Sequence, residues 1–441
     1  MRRVVMCATF AAVVGLAAAT AAVGARQTGP TKLTVWVGWS AGKELVTFKK
    51  VAAEYDKAHS DVTLDVVGGI TDQKITAAIR AGNAPDVVSS FNSYDVGIYC
   101  GTGAWLDLEP FMARSRIRTS IFPKATMYYT QYNGTRCALP LLADTYGLYY
   151  NKTLFKSAHI THPPRTISEL TADAKKLTQR NPDGSLKVVG LDPFIGFYEN
   201  VPERWAQSYG AKYIDSNGHA ILGKQAAWQK LMKWQKSLID WYGYKNLVKF
   251  QAGLGDEFSA SNGFETGKLA MNLDGEWRVA FIQNEVPKLQ YGTAPLPVDD
   301  ARPDLYGSGY INGTIIGLPK GGHNVDKAWQ LVDYLTTNTH ALAVLANGLR
   351  NVPSTAASAK SKELIPDAHF ATFLTIFNNA HSSTSPIMAS GQSYTNLVQT
   401  FWQNYQAKGA KNLGAGLAKL DAQLDAQVKQ AGGGNGGGGV P

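Results

Sequence analysis

Between Leu33 and Phe91 the chain alternates β-rich runs with helical periodicity, and that alternation constrains its fold more tightly than any other feature. Leu33-Thr-Val-Trp-Val37, Val62-Thr-Leu-Asp-Val-Val67 and Asp86-Val-Val-Ser-Ser-Phe91 are dominated by strand-forming residues. Between them, Glu44 to His59 carries Leu45, Phe48, Val51, Ala52 and Tyr55 at helical spacing, and Gln73 to Arg80 predicts a second helix. Alternating strands and helices build a parallel, doubly wound α/β sheet. Open sheets of this kind bind ligands at the carboxyl ends of their strands. The loops after Val37 and Phe91 open on that edge, which brings Trp39 and Ser40 near Asn92, Ser93 and Asp95.

A second segment repeats the grammar. In Phe264 to Ala280, the apolar strand Leu269-Ala-Met-Asn-Leu273 runs into the turn Asp274-Gly275-Glu276, which presents Trp277 at the start of a helix. An indole offers a flat apolar plane with large burial area, suited to the C–H face of a pyranose ring. Asp274 and Glu276 are acceptors for sugar hydroxyls, or else a solvated turn. Asp144 stands at the entrance to the aromatic strand Tyr146-Gly-Leu-Tyr-Tyr150, placed to accept from a ligand or to cap a loop. Trp205 is a stacking plate or a packing residue, and Tyr394, after Ser390-Gly-Gln-Ser, is placed to close over a ligand.

Further along, Thr166-Ile-Ser-Glu169 is a capping box opening a helix to about Gln179. Lys224 to Tyr242 and Leu417 to Gln430 have one apolar face each, and Thr314-Ile-Ile-Gly-Leu318 is a strand leading to one helix over Val325 to Ala346. With 441 residues the chain exceeds a single core and predicts two domains. Arg2 and Arg3, the apolar run Val4 to Val23 and small residues up to Ala25 make a tripartite secretory signal over residues 1–25. Cys7 lies too early for a lipobox, so no lipid tether is expected. Cys100 and Cys137 remain, an even pair in an oxidising compartment and a candidate disulfide. The Gly-rich segment 431–441 predicts a disordered tail.

The formal net charge of +9 is scattered rather than striped, with basic runs no longer than pairs, which argues against nucleic acid as a partner. No G-x-S-x-G elbow, H-E-x-x-H helix or complete dinucleotide fingerprint is present. His159 and His162 lack further ligands, so neither a metal nor another cofactor is expected.

The order and spacing of several segments resemble the extracellular solute-binding proteins of ATP-driven importers, in the carbohydrate-binding group that includes maltose-binding protein. The segments are LTVWVGW, GNAPDVV, GAWLDLEPF, LPLLADTYGLYYNKTLF, GKLAMNLDGEW, YGTAPLP and TIIGLPKG, and they cover nearly all of the chain after the signal. The resemblance implies two doubly wound α/β lobes joined by a multi-strand hinge, the periplasmic-binding-protein architecture. The first lobe would comprise 31–143 and 310–346, the second 144–309 and 347–430. It implies a monomeric receptor that hands a mono- or oligosaccharide to permease subunits at the outer face of the membrane, without catalysis. The implied site adds Tyr310, at a crossing, to Asp144, Trp277 and Tyr394. Alternatives are a receptor for a polyamine or an organic anion, the latter reached by Arg350, or a secreted carbohydrate-active enzyme.

Overall fold

The computed structural model describes residues 29–40 and 42–432. The signal over 1–25 and most of the Gly-rich segment, 433–441, lie outside the described residues. Among the described residues, ten strands share one curled sheet. In chain order they are β1 (Thr31–Trp36), β2 (Val62–Val67), β3 (Val87–Ser90), β4 (Leu139–Asn151) and β5 (Gln179–Arg180). The remainder are β6 (Leu186–Leu191), β7 (Leu269–Gly275), β8 (Tyr291–Ala294), β9 (Ile311–Gly317) and β10 (Val352–Pro353).

β1 pairs in parallel with β2 and β3, as the alternation requires, with the helices Lys43–Ala58 and Asp72–Arg80 between them. The first helix buries Phe48, Val51, Ala52 and Tyr55, the stripe its periodicity predicts. Thr71 caps the second by accepting from the Lys74 amide. The predicted capping box forms, with the Thr166 and Glu169 side chains serving each other's amides.

β4 explains how two lobes come to share one sheet. This 13-residue strand is far longer than the run Tyr146 to Tyr150. Its first half pairs antiparallel with β9, through Leu139↔Ile316 to Thr145↔Ile311. Its second half pairs with β7 from Tyr146↔Gly275 onward, and with β8. Near Ala143 it also receives β10. One core gathers Leu33, Val35, Phe48, Leu139 and Ile316 with Trp329 and Leu345; another holds Tyr149, Leu191, Trp228, Leu269, Phe373 and Trp402. The molecule is thus two doubly wound lobes linked by crossing strands.

The single helix expected over Val325 to Ala346 is two, Val325–Thr337 and Thr339–Leu349. Asn338 interrupts them in an extended conformation, and its side chain accepts from the Ala341 amide to start the second helix.

Candidate functional site

The strands that link the lobes bring a compact set of aromatic and polar side chains together. Asp144 lies where β4 changes partners, opposite Asn312 of β9. Glu276 follows β7 and accepts from the Thr145 amide at 2.8 Å. The Asn351 side-chain amide donates to both acids, 2.9 Å to Asp144 Oδ1 and 2.9 Å to Glu276 Oε1. Enclosure in protein pushes the Asp144 carboxyl up to about 7, helped by the nearby Glu199 charge. Burial, and then the charge of Asp144, hold Glu276 well above the usual carboxylate range. Two acids sharing one donor in a desolvated site do not both ionise readily.

Trp277 sits beside this pair, half-buried and edge-on to the Tyr146 ring at 5.6 Å. Its indole nitrogen is buried without a hydrogen-bond partner, a donor left over for something else. Tyr146, two residues beyond Asp144 on β4, donates to Asn312 Oδ1 at 2.9 Å. Over its ring lies the Arg204 guanidinium, 3.8 Å from the centroid and 4.8 Å from that of Tyr310. Arg204 comes from the short helix Pro202–Ala206, donates to Glu199 at 3.0 Å, and donates to the Tyr94 hydroxyl at 3.1 Å. Tyr310 donates to the same hydroxyl at 2.8 Å and accepts from Ser385 at 3.0 Å. Tyr94 belongs to the turn after β3, so these bonds tie that turn to the helix Pro202–Ala206 and to the residue just before β9.

A seam continues from that turn. Asn92 donates to Asp95 at 3.0 Å and to the Gln392 side chain at 3.1 Å, and the Gln392 amide donates to Asp95 at 3.0 Å. Burial raises the Asp95 carboxyl, with the Gln392 amide opposing the shift. Ser93 is buried beside them. The helix Val96–Gly101 follows so closely against the second lobe that a Cβ on Gly97 would lie 1.9 Å from the Met388 carbonyl oxygen, and only glycine permits that approach. A disulfide joins Cys100 of this helix to Cys137, just before β4, with Cα atoms 5.3 Å apart.

Of the residues singled out from sequence, Asp144, Glu276, Trp277 and Tyr310 meet in the central cluster, and Asn92, Ser93 and Asp95 meet in the seam. The others lie elsewhere. Trp39 is packed inside the first lobe against Phe48 and Phe91, each 5.5 Å away, while Ser40 is exposed beyond it. Trp205 is fully buried against Trp234 and donates to Asn200. Asp274 is fully buried, accepting from Arg278 Nε at 2.8 Å, and Arg278 also pairs with Glu265 at 3.1 Å. Arg350 ends its helix in the left-handed region, donates to the Ile365 carbonyl and lies over Phe370. Tyr394 is 1% exposed, and burial, with the charges of Asp425 and Asp421, raises its hydroxyl well above the usual range.

Sequence reasoning passed over Tyr94, Tyr146, Glu199, Arg204, Asn312 and Asn351. Tyr146 had a usable signal, because side chains two apart on a strand share a face. Arg204 adjoins Trp205 on a helix, where successive side chains point about 100° apart, so the two meet different neighbours, Trp234 for Trp205 and Tyr146 for Arg204. Among the described residues no cluster of potential ligands for a metal ion occurs, and no helix is long and apolar enough to cross a membrane.

The family model described as bacterial extracellular solute-binding protein matches residues 50–372. The chain belongs to that family. Among its relatives is a maltodextrin-binding protein of Bacillus subtilis, 26% identical over 369 residues, covering 81% of this chain and 82% of the relative. A maltotriose-binding protein of Pyrococcus abyssi is 23% identical, covering 74% of this chain and 67% of its own. Among solved structures, CpMnBP1 with mannotriose bound superposes with a TM-score of 0.76 at 28% identity, over 89% of this chain and 100% of the other. The sugar-binding protein MalE of Xanthomonas citri, 19% identical, shares the fold with a TM-score of 0.73 over 91% of this chain and 98% of its own. The family is one of extracellular binding proteins, and these relatives are named for binding.

Proposed function

We propose that this solute-binding protein is the extracytoplasmic receptor of an ATP-driven importer and captures a saccharide between its two lobes by hinge closure. The observation that carries the reading is the central cluster: an indole with an unpartnered donor, two tyrosine rings and an acid pair, set on the strands that cross between lobes. Rings supply planes for sugar faces, and Asp144, Glu276 and Asn351 supply acceptors and a donor for hydroxyls. On this reading the lobes divide near Ala143, Tyr310 and Asn347. Tyr94, on the first lobe, meets Arg204, on the second, and that contact favours the closed form. The closed surface is what permease subunits would recognise, and the sugar is released unchanged.

A polyamine receptor fits less well, because the fixed charge of Arg204 already occupies the acidic, aromatic centre. The relatives named for maltotriose, maltodextrin and mannotriose binding support a saccharide. The test is a thermal-shift screen of the chain from Gln27 onward against mannose- and glucose-based oligosaccharides, polyamines and organic acids. A ligand that binds only the folded state adds about 2.7 kcal/mol of stability at a hundredfold excess over Kd. Shifts confined to saccharides support the receptor; shifts with cations or acids alone, or cleavage of the sugar, refute it.

A further inference from the structure

Away from the central cluster, the second lobe carries an outward face that is both apolar and basic. The helix Ala226–Tyr242 buries Trp228, Leu231, Leu238 and Tyr242. Gly243, at φ 86°, turns the chain into the helix Tyr244–Gln251, which buries Leu247 and Phe250. Trp241, Tyr244 and Val248 fall off those buried stripes and stand 40%, 38% and 46% exposed. Among the described residues, eight large apolar side chains are exposed, and these three of them fall within eight consecutive positions. Such clustering marks an interaction surface, whereas single exposed apolar residues do not.

Cations surround the three. The Lys175 ammonium and the Arg180 guanidinium each lie 5.7 Å from the centre of the Trp241 ring. Lys245 and Lys249 stand one helical turn apart, each next in sequence to Tyr244 or Val248. Lys249 joins Lys187 and Lys268 around a cavity of about 330 Å³, with Asn181, Asn246 and Phe250. All six cations are exposed. The acids in these stretches are already engaged: Asp183 accepts from the Ser185 hydroxyl at 2.6 Å, and Asp240 is paired with Lys236. Basic residues that are scattered in the sequence thus meet on one face. Lys268 immediately precedes β7, and Glu276 and Trp277 follow its other end, about 23 Å away for seven residues at the usual strand rise.

We propose that this face docks on an anionic lipid bilayer, with Trp241, Tyr244 and Val248 at headgroup level and the six cations on lipid phosphates. Indole and phenol rings settle at membrane interfaces, and basic side chains lay their stems along apolar surface while their charges reach anionic headgroups. A soluble polyanion would match the charge and leave the three apolar side chains without a role. A bilayer held here leaves the central cluster uncovered, so the inference stands apart from the saccharide reading. The test is cosedimentation of the chain from Gln27 onward with vesicles of phosphatidylcholine alone and of phosphatidylcholine mixed with phosphatidylglycerol, each at low and high salt. Binding to the mixed vesicles only, weakened by salt, is the expected result. Lys245→Ala combined with Lys249→Ala should lower the partition coefficient about thirtyfold. Trp241→Ala should lower it about tenfold, through the apolar area the ring no longer buries. Melting temperatures of the variants establish that they are folded. No binding, equal binding to both kinds of vesicle, or mixed-vesicle binding that survives in the folded lysine variant overturns the proposal. Inorganic polyphosphate bound as tightly as the mixed vesicles, with vesicle binding of Trp241→Ala unchanged, identifies a soluble polyanion as the occupant and overturns it equally.

Discussion

Tyr94→Phe isolates the contribution of closure. The substitution keeps the ring and removes a hydroxyl that accepts from Arg204, on the helix Pro202–Ala206, at 3.1 Å and from Tyr310, just before β9, at 2.8 Å. A hydrogen bond to a charged group contributes about 1.5–3 kcal/mol and a neutral one about 1. Arg204 keeps Glu199, and Tyr310 keeps Ser385, so part of that is recovered. About 2 kcal/mol remains, equivalent to roughly thirtyfold in affinity. In an open form the hydroxyl faces water, and its removal there costs little. Titration calorimetry with mannotriose and maltotriose should show that loss for whichever sugar binds, while chemical denaturation of the unliganded protein is unchanged. Unaltered affinity, or an equal loss of unliganded stability, would refute the claim that these bonds belong to closure.

Three further expectations follow from the same geometry. Trp277→Ala should weaken saccharide binding about a hundredfold, the cost of losing a central aromatic anchor, with Trp277→Phe recovering part of it in the same titration. Asp144 has its carboxyl raised by burial to about 7, so its favourable contribution to the enclosed state is present below about pH 4 and lost as pH rises through 7. Denaturation curves of Asp144→Asn should therefore gain on the wild type between about pH 4 and 7 and run parallel above that; curves parallel throughout would contradict the enclosure. Removing the Cys100–Cys137 disulfide, which closes a separation of 37 residues, should cost about 4 kcal/mol in the same assay run without reductant.

The architecture was legible because its signals are local and periodic. The β-rich runs at Leu33, Val62 and Asp86 and the stripe of Phe48, Val51 and Tyr55 each follow from one short window of sequence. The site was less legible because its members meet through long-range register. Asp144 stands beside Glu276 and Asn351 only because β4 pairs with β9, β7 and β10 at nearly one point. Asp274 and Glu276 look alike in sequence, two residues apart in one turn. Arg278, four residues beyond Asp274 at the start of the next helix, captures it in the interior, while Glu276 is left to pair with Asn351. Asn338 shows a local signal outweighed by a long apolar period: a side chain that caps a new helix inside what reads as one. Trp205 and Trp39 show that an aromatic near a sheet edge packs a core as readily as it faces a ligand.

Small-angle scattering of the chain during titration with mannotriose and maltotriose tests the central claim most directly. Capture between lobes predicts a radius of gyration that falls in proportion to occupancy for the sugar that binds, with the sugar recovered intact and no change in Trp277→Ala at the same concentration. Saturating occupancy with unchanged dimensions, or a shortened sugar, would contradict it.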